Sequence, residues 1–435
     1  MLSGKLMAMK KKLVIVQTAG LGYQFLNRHH GATWQGLTFR PMETTFPALT
    51  CTAQATFRNA STPAHHGMVA NGLYHRALNR SLFWEQSSAL VSGPRFWQKY
   101  RSSNNQVAML FWQQSLGEAV DFLLSPAPIH THGGGMINAV HSVPAPLYNQ
   151  LRKDIGHPFR LHRYWGPLAS TSASAWIAEA TAKLLLGDTP PDLCLTYLPA
   201  LDYDLQRHGP DHPRSKKALS DLLTQLEIIR AATKKTGHDL LVYGDYAIAP
   251  VSSAAFPNRV LRDHGFLKTR TVKGMSYPDL PASHAFALVD HEVAHVYIRN
   301  HADIPIVKSL LTGTPGIASV EPPAKALAHP NAGELVLTAA DGFWLAYPWW
   351  TEPKEAPDYA SHVDIHNKPG YDPCELFFGW PPGTVSQDTT RIKGSHGRIG
   401  PGREVAWAAT FTPLTLPATL VDLAQSTANW LEARQ

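Results

Sequence analysis

The segment Phe46 to Tyr74, FPALTCTAQATFRNASTPAHHGMVANGLY, places Thr50 in a turn after Pro47 and follows it with Pro63, a His66-Gly67 pair and Asn71. A threonine hydroxyl is a poor nucleophile near neutral pH, and a divalent cation bound to its oxygen would stabilise the alkoxide. Thr50-Cys51-Thr52 also suits an ordinary capping or turn cluster. Cys51 is a rival nucleophile, but no His or Lys stands close in sequence to lower its pKa, and a buried inert thiol is the commoner fate. Several of the 22 histidines sit beside Asp or Gly, which directs attention to metal or phosphate chemistry. In His362 to Phe378, Asp364 and His366 alternate along a short extended run, so both can reach one ion. In Ala285 to Ile298, His291 and His295 converge whether the segment is a strand or a helix, with Asp290 beside them; histidines satisfied by backbone bonds are the plainer alternative. Ser125 to Asn138 carries three glycines with His130 and His132, enough for backbone N–H groups to approach an anion or for a lid to hinge. No Lys follows those glycines as a P-loop requires. The paired aromatics Phe96-Trp97 and Phe111-Trp112 read first as core and only second as a stacking surface.

These residues need elements to position them. Leu13 to Val16 reads as a first buried strand. Ala175 to Leu186 has apolar residues at helical spacing, follows Ser170-Thr171-Ser172 and stops at Gly187. Asp192 to Leu198 then reads as a strand, Lys216 to Thr236 as a long helix with Leu219, Leu222, Leu223, Leu226 and Ile229 on one face, and Leu240 to Tyr243 as the next strand. A strand, helix and strand in that order predict a parallel pair with a right-handed crossover. The fold class is therefore α/β, a mostly parallel central sheet with helices on both faces. Ligands of such sheets bind beyond the carboxyl ends of the strands, where Asp202 and Asp245 both fall. A turn-forming Asp is the blander reading of Asp202. One domain over residues 10–435 is expected, with lid or insertion segments around 75–165 and 251–290.

Composition narrows the function classes. With 435 residues, 44% of them hydrophobic, and three cysteines, the chain is neither disordered nor a disulfide scaffold. Its net charge of +6 is small and its Lys and Arg are scattered, which argues against a nucleic acid polymer as the main partner. Met1 to Lys12 is basic, but the apolar run after it is too short for a signal-peptide core, and no stretch is long enough to span a bilayer. Cys51, Cys194 and Cys374 are widely separated and odd in number, which favours a reducing, cytoplasmic address with no membrane partner. Oligomeric state has no signature.

The segment around Thr50 resembles the nucleophile segment of the nucleotide pyrophosphatase/phosphodiesterase branch of the alkaline phosphatase superfamily. There a Thr or Ser attacks phosphorus, a Pro-x-x-His-Gly follows, and an Asn supports a phosphate oxygen; Thr50 and Asn71 stand at those places without a gap. Further pieces follow in the family's order at residues 13–26, 191–210, 238–251 and 393–398, so the resemblance spans nearly the whole chain. It implies an alkaline-phosphatase-like fold and two zinc ions. Of the usual ligands, Asp202, Asp245 and His396 are present, while Ala19, Gln206 and Tyr246 stand where an Asp and two His belong. One or two ions, with zinc first and manganese or iron as alternatives, would then be rebuilt from Asp202, Asp245, His396 and some of Asp290, His291, Asp364 and His366. The implied function is metal-dependent hydrolysis of a phosphate ester, phosphodiester or phosphonate through a phospho-threonine, acting on a small phosphorylated substrate. The alternatives are a diverged binding protein and a different metal-dependent reaction.

Overall fold

The computed structural model describes residues 10–132 and 135–433. The basic residues 1–9, and Gly133 and Gly134 of the triple-glycine run, lie outside the described residues. Eight strands form the central sheet: β1 (Leu13–Thr18), β2 (Arg40–Met42), β3 (Val107–Leu110), β4 (Phe122–Pro126), β5 (Val140–Val143), β6 (Leu193–Leu198), β7 (Asp239–Gly244) and β8 (Val405–Ala409). Their spatial order is β5-β4-β3-β6-β1-β7-β8-β2. β4, β3, β6, β1 and β7 pair in parallel, whereas β5 runs antiparallel to β4 and β8 antiparallel to both β7 and β2. β1, β6 and β3 are buried throughout, which explains why each reads as a continuous apolar run rather than an alternating one.

Five helices matter for the site: α1 (Thr50–Asn59), α2 (Thr171–Leu186), α3 (Ala200–His208), α4 (Pro213–Thr236) and α5 (Leu420–Glu432). α4 starts with Pro213 at its first position and ends at Gly237 in the left-handed conformation, the asymmetry expected of a helix whose first position needs no N–H donor and whose end needs a strain-free stop. It begins three residues before the expected Lys216 and α2 four residues before the expected Ala175, because polar residues precede the periodic ones. α2 and α4 pack on one another and bury their leucine and alanine faces in the main core.

The register carries the functional consequence. Thr18 pairs with Leu198 and with Gly244, so β1, β6 and β7 end level and the residues after them share one rim. At that rim Gly20 adopts φ +71, a conformation glycine takes without penalty, and a Cβ on Gly244 would lie 2.3 Å from the Leu21 carbonyl oxygen. The tract 75–165 supplies β3, β4 and β5. The tract 251–290 continues the strand Ala249–Ala255 into a helix, Pro257–Asp263, a hairpin, and the strand Ala285–Asp290. That strand opens a second sheet, four antiparallel strands in the order Ala285–Asp290, Val293–Ile298, Leu335–Ala339, Ile317–Glu321, with its own apolar core. Among the described residues no helix is long and apolar enough to cross a membrane.

Candidate functional site

Thr50 is the first residue of α1, with Leu49 before it in extended conformation. That position turns the first peptide N–H groups of the helix, and its positive end, toward whatever lies beside Thr50. Pro63 to His66 makes a single helical turn that Gly67 ends at φ 77. His66 then braces α1: its Nε2 donates to Thr56 Oγ1 at 3.0 Å while its Nδ1 accepts from the Met68 N–H. Burial pushes the His66 pKa down to about 3, so this is a neutral strut. The Pro-x-x-His-Gly pattern is thus a device for holding α1.

Asn71 is a connector. Its Oδ1 accepts from the Cys51 N–H at 3.0 Å, its N–H donates to Asp290 Oδ2 at 2.8 Å, and its Nδ2 donates to Asp290 Oδ1 at 3.1 Å. Asp290 also accepts from His291 Nδ1 at 2.7 Å. Thr50 and the second sheet are thereby tied through one buried carboxylate. The Cys51 thiol is fully buried, accepts from Gln114 and has its pKa raised by burial, which removes it as a nucleophile.

Asp202 and Asp245 both reach the rim. Asp202 lies in the first turn of α3, where its Oδ2 accepts from Gln206 Nε2 at 2.6 Å and its Oδ1 from the Tyr246 hydroxyl at 3.1 Å. Asp245 follows β7 directly; its Oδ1 accepts from the Gly20 and Tyr246 N–H groups and its Oδ2 from Gln17 Nε2. His396 arrives on the two-residue strand Gly394–Ser395, which pairs with Ala249 and Pro250. Its Nδ1 donates to the Ala48 carbonyl, which leaves the Nε2 lone pair buried and unpartnered, 3.9 Å from Asp202 Oδ1. The Tyr246 ring stacks on His396 at 3.4 Å and 2°, and His291 lies between His396 and Tyr371 at centroid distances of 3.8 and 3.7 Å.

Burial governs the electrostatics. It pushes Asp202 and Asp290 up to about 7 and Asp245 up to about 8, against the lowering effect of their hydrogen bonds from Gln206 and Tyr246, Asn71, and Gln17 respectively. It lowers His291 and His396 far enough to keep both neutral. Thr50 Oγ1 stands 3.4 Å from the Tyr197 hydroxyl, and the Tyr246 hydroxyl lies nearby.

Of the other sequence candidates, Asp364, His366 and His295 lie apart from this cluster. Asp364 and His366 occupy a turn rather than an extended run. Asp364 caps it by accepting from the Asn367 N–H, and His366 Nδ1 donates to the Phe83 carbonyl. Both line the cavity above Thr50. His291 sits at φ 61 in the turn between two strands and points to the site, whereas His295 is held by the Val69 carbonyl and the Gly333 N–H, so the two do not converge. Tyr197, Tyr371 and Gln17 are site residues that sequence reasoning did not single out. Their only signal was a polar group within or just after a buried strand or turn.

The resemblance implies a pair of divalent ions, and the donors present do not fit one. Every oxygen of Asp202 and Asp245 already accepts from a neutral amide or hydroxyl, and the Gln206 amide and Tyr246 hydroxyl supply the positive dipoles that cations would. Among the described residues, no three His, Cys, Asp or Glu side chains are arranged to hold an ion. Two imidazole lone pairs remain, on His396 Nε2 and on His291 Nε2, and among the described residues no third ligand is arranged with them.

The cavity over Thr50 has a volume of about 530 Å³. It reaches Asp202, Tyr246 and His291 at its floor, and among the described residues no Lys or Arg lines it.

Comparison with known proteins agrees with this arrangement. Phosphonoacetate hydrolase from Sinorhizobium meliloti 1021, solved with phosphonoformate, is similar with a TM-score of 0.63 and 14% identity over 98% of this chain and 96% of that one. Murine ectonucleotide pyrophosphatase/phosphodiesterase 5 is similar with a TM-score of 0.61 and 15% identity over 97% and 95% of the two chains. The human form gives 0.58 and 14% over 97% and 95%. At such identities the likeness speaks for the fold, which is that of the alkaline-phosphatase-like proteins. No curated protein matches the sequence. Residues 25–372 match the type I phosphodiesterase / nucleotide pyrophosphatase family, and with Thr50 opening α1 at the rim of a mostly parallel sheet, the chain belongs to that family of hydrolases.

Proposed function

We propose that this protein hydrolyses a phosphate ester, phosphodiester or phosphonate, with Thr50 as the nucleophile and a phospho-threonine as the intermediate. The observation that carries the reading is that Thr50 opens α1 on the same cavity as the Tyr246 hydroxyl, which donates to Asp202 Oδ1 at 3.1 Å. Tyr246 donates to the carboxylate, so its oxygen is free to accept from Thr50. As the Thr50 oxygen bonds to phosphorus, its proton passes to Tyr246 and the Tyr246 proton passes to Asp202. A carboxyl pushed up to about 7 is matched to taking and returning a proton near neutral pH. The bond from phosphorus to the leaving group breaks, and the leaving atom takes up the proton. Water then attacks phosphorus and the bond from phosphorus to Thr50 Oγ1 breaks; one hydrogen of the water stays on the released phosphate or phosphonate and the other passes through Asp202 and Tyr246 to Thr50. The N-terminus of α1 supports the charge that develops on the non-bridging oxygens.

Asn71, expected to support a phosphate oxygen, acts here by fixing the Cys51 N–H and Asp290, so its part is positioning. The similar proteins act, by name, on a phosphonate and on nucleotide pyrophosphates or phosphodiesters, which supports phosphorus as the reacting centre. Three free, buried thiols suit a reducing compartment, and a cytoplasmic address belongs to the same reading.

The test is turnover of p-nitrophenyl phosphate, bis(p-nitrophenyl) phosphate and p-nitrophenyl phenylphosphonate by chelator-treated protein. Thr50→Ala should abolish turnover and Thr50→Ser should retain part of it. Full activity in Thr50→Ala would overturn the mechanism.

A further inference from the structure

The walls of the cavity differ in kind from its floor. Above the hydrogen-bonded cluster, Trp84 and Trp165 face the space, and Met136, Leu168, Val363 and Phe378 stand at its mouth. These last four are 46%, 43%, 42% and 59% exposed. Large apolar side chains scattered singly over a surface need no explanation, but here four of them, from four separate segments, gather at one opening. The hairpin that carries Met136 exposes Ile129 and Ile137 as well.

Charge points the same way. Among the described residues the lining contains no Lys or Arg; of its four histidines the one at the floor, His291, is held neutral, and of its two carboxylates Asp202 lies at the floor. A polyphosphate chain needs cations or a large set of N–H donors to leave water. This cavity supplies mainly aromatic and aliphatic surface, of a volume suited to a drug-sized ligand.

We infer that the ligand of this cavity carries one large uncharged apolar group, an alkyl chain or an aryl ring, which enters past Met136, Leu168, Val363 and Phe378 and fills the space above Thr50. The inference rests on the proposed reaction for placing the phosphorus end at Thr50. The seating of the apolar group does not depend on turnover.

Binding of non-hydrolysable phosphonates by calorimetry tests it. Octylphosphonate and 2-naphthylphosphonate are compared with methylphosphonate and with ADP, on wild type and on Thr50→Ala. One or both of the large phosphonates should bind at least ~30-fold tighter than methylphosphonate, a small part of the gain that full burial of seven methylenes would give. The tighter of the two distinguishes chain from ring. ADP should bind no better than methylphosphonate. Phe378→Asp and Leu168→Asp, both at exposed positions that leave the fold intact, should each weaken the large phosphonates roughly 10-fold and leave methylphosphonate unchanged. Equal binding along the series, ADP as the tightest ligand, or rim variants without effect would overturn the inference. If no ester is turned over but octylphosphonate keeps its advantage, the Thr50 reaction fails and the apolar ligand stands.

Discussion

Replacing Tyr246 with Phe removes one oxygen from the centre of the site and leaves the rest of the side chain in place. The ring stacked on His396 at 3.4 Å is kept, so packing is preserved and only the hydroxyl is lost. That hydroxyl lies near Thr50 and donates to Asp202 Oδ1 at 3.1 Å within a buried environment. Two effects follow, and they have separate magnitudes. A hydrogen bond to a charged group contributes about 1.5–3 kcal/mol, and its loss leaves a buried acceptor short of a donor, so urea unfolding should report destabilisation of that order. The proton relay is also cut, and loss of a positioned general base lowers turnover by about 10²- to 10⁴-fold. kcat should therefore fall steeply, with KM nearly unchanged, in an assay of bis(p-nitrophenyl) phosphate on chelator-treated protein. Asp202→Asn should give a similar loss, and the double variant should be scarcely worse than either single one because both act through one relay. If Tyr246→Phe keeps its kcat within about threefold of wild type, a fraction of the expected effect, the relay is wrong.

Two further predictions concern stability. Asp202, Asp245 and Asp290 are all pushed up by burial, so the folded protein holds protons that the unfolded chain releases. Their stabilising contribution is complete below the ordinary carboxylate range and disappears as pH rises through 7 to 8. The urea midpoint should fall between pH 5 and pH 8, less steeply in Asp202→Asn, and a midpoint that rises with an unchanged slope in the variant would contradict the assignment. In the second sheet's flank, buried Lys368 binds Asp372 at 2.8 Å and Glu375 at 2.7 Å. Lys368→Met strands two carboxylates and should cost about 3–5 kcal/mol in urea unfolding, whereas Lys217→Met at the exposed pair with Asp221 should change little. Equal effects of the two substitutions would show that burial does not decide the value of these pairs.

Much of the central sheet was legible because its signals are local. β1, β6 and β7 are continuous apolar runs, α4 carries a leucine stripe between a proline start and a glycine stop, and Asp202 and Asp245 then fall at strand ends by counting. The second sheet was less legible, since short antiparallel strands draw their meaning from partners far along the chain. Alternation misled at Asp364 and His366, where two residues apart in a capped turn looks the same in sequence as two residues apart in a strand. Asn71 kept its place but serves a neighbouring backbone and carboxylate, a role that spacing does not distinguish from one toward a ligand. Tyr197 and Tyr371 were invisible as functional groups because an aromatic in an apolar run reads as core until its hydroxyl is located.

The order of the strands has a consequence for how the protein is made. Among the described residues β2, residues 40–42, has only β8, residues 405–409, as its sheet partner, and β8 also covers the open edge of β7. During synthesis the β7 edge therefore waits, unpaired, while everything between is translated, and such an edge is open to mispairing. His396 is delivered by the strand just before β8. Closure of the sheet and completion of the cluster around Thr50 are thus nearly the same late event, so the chain gathers that cluster only when a contact between its two ends has formed.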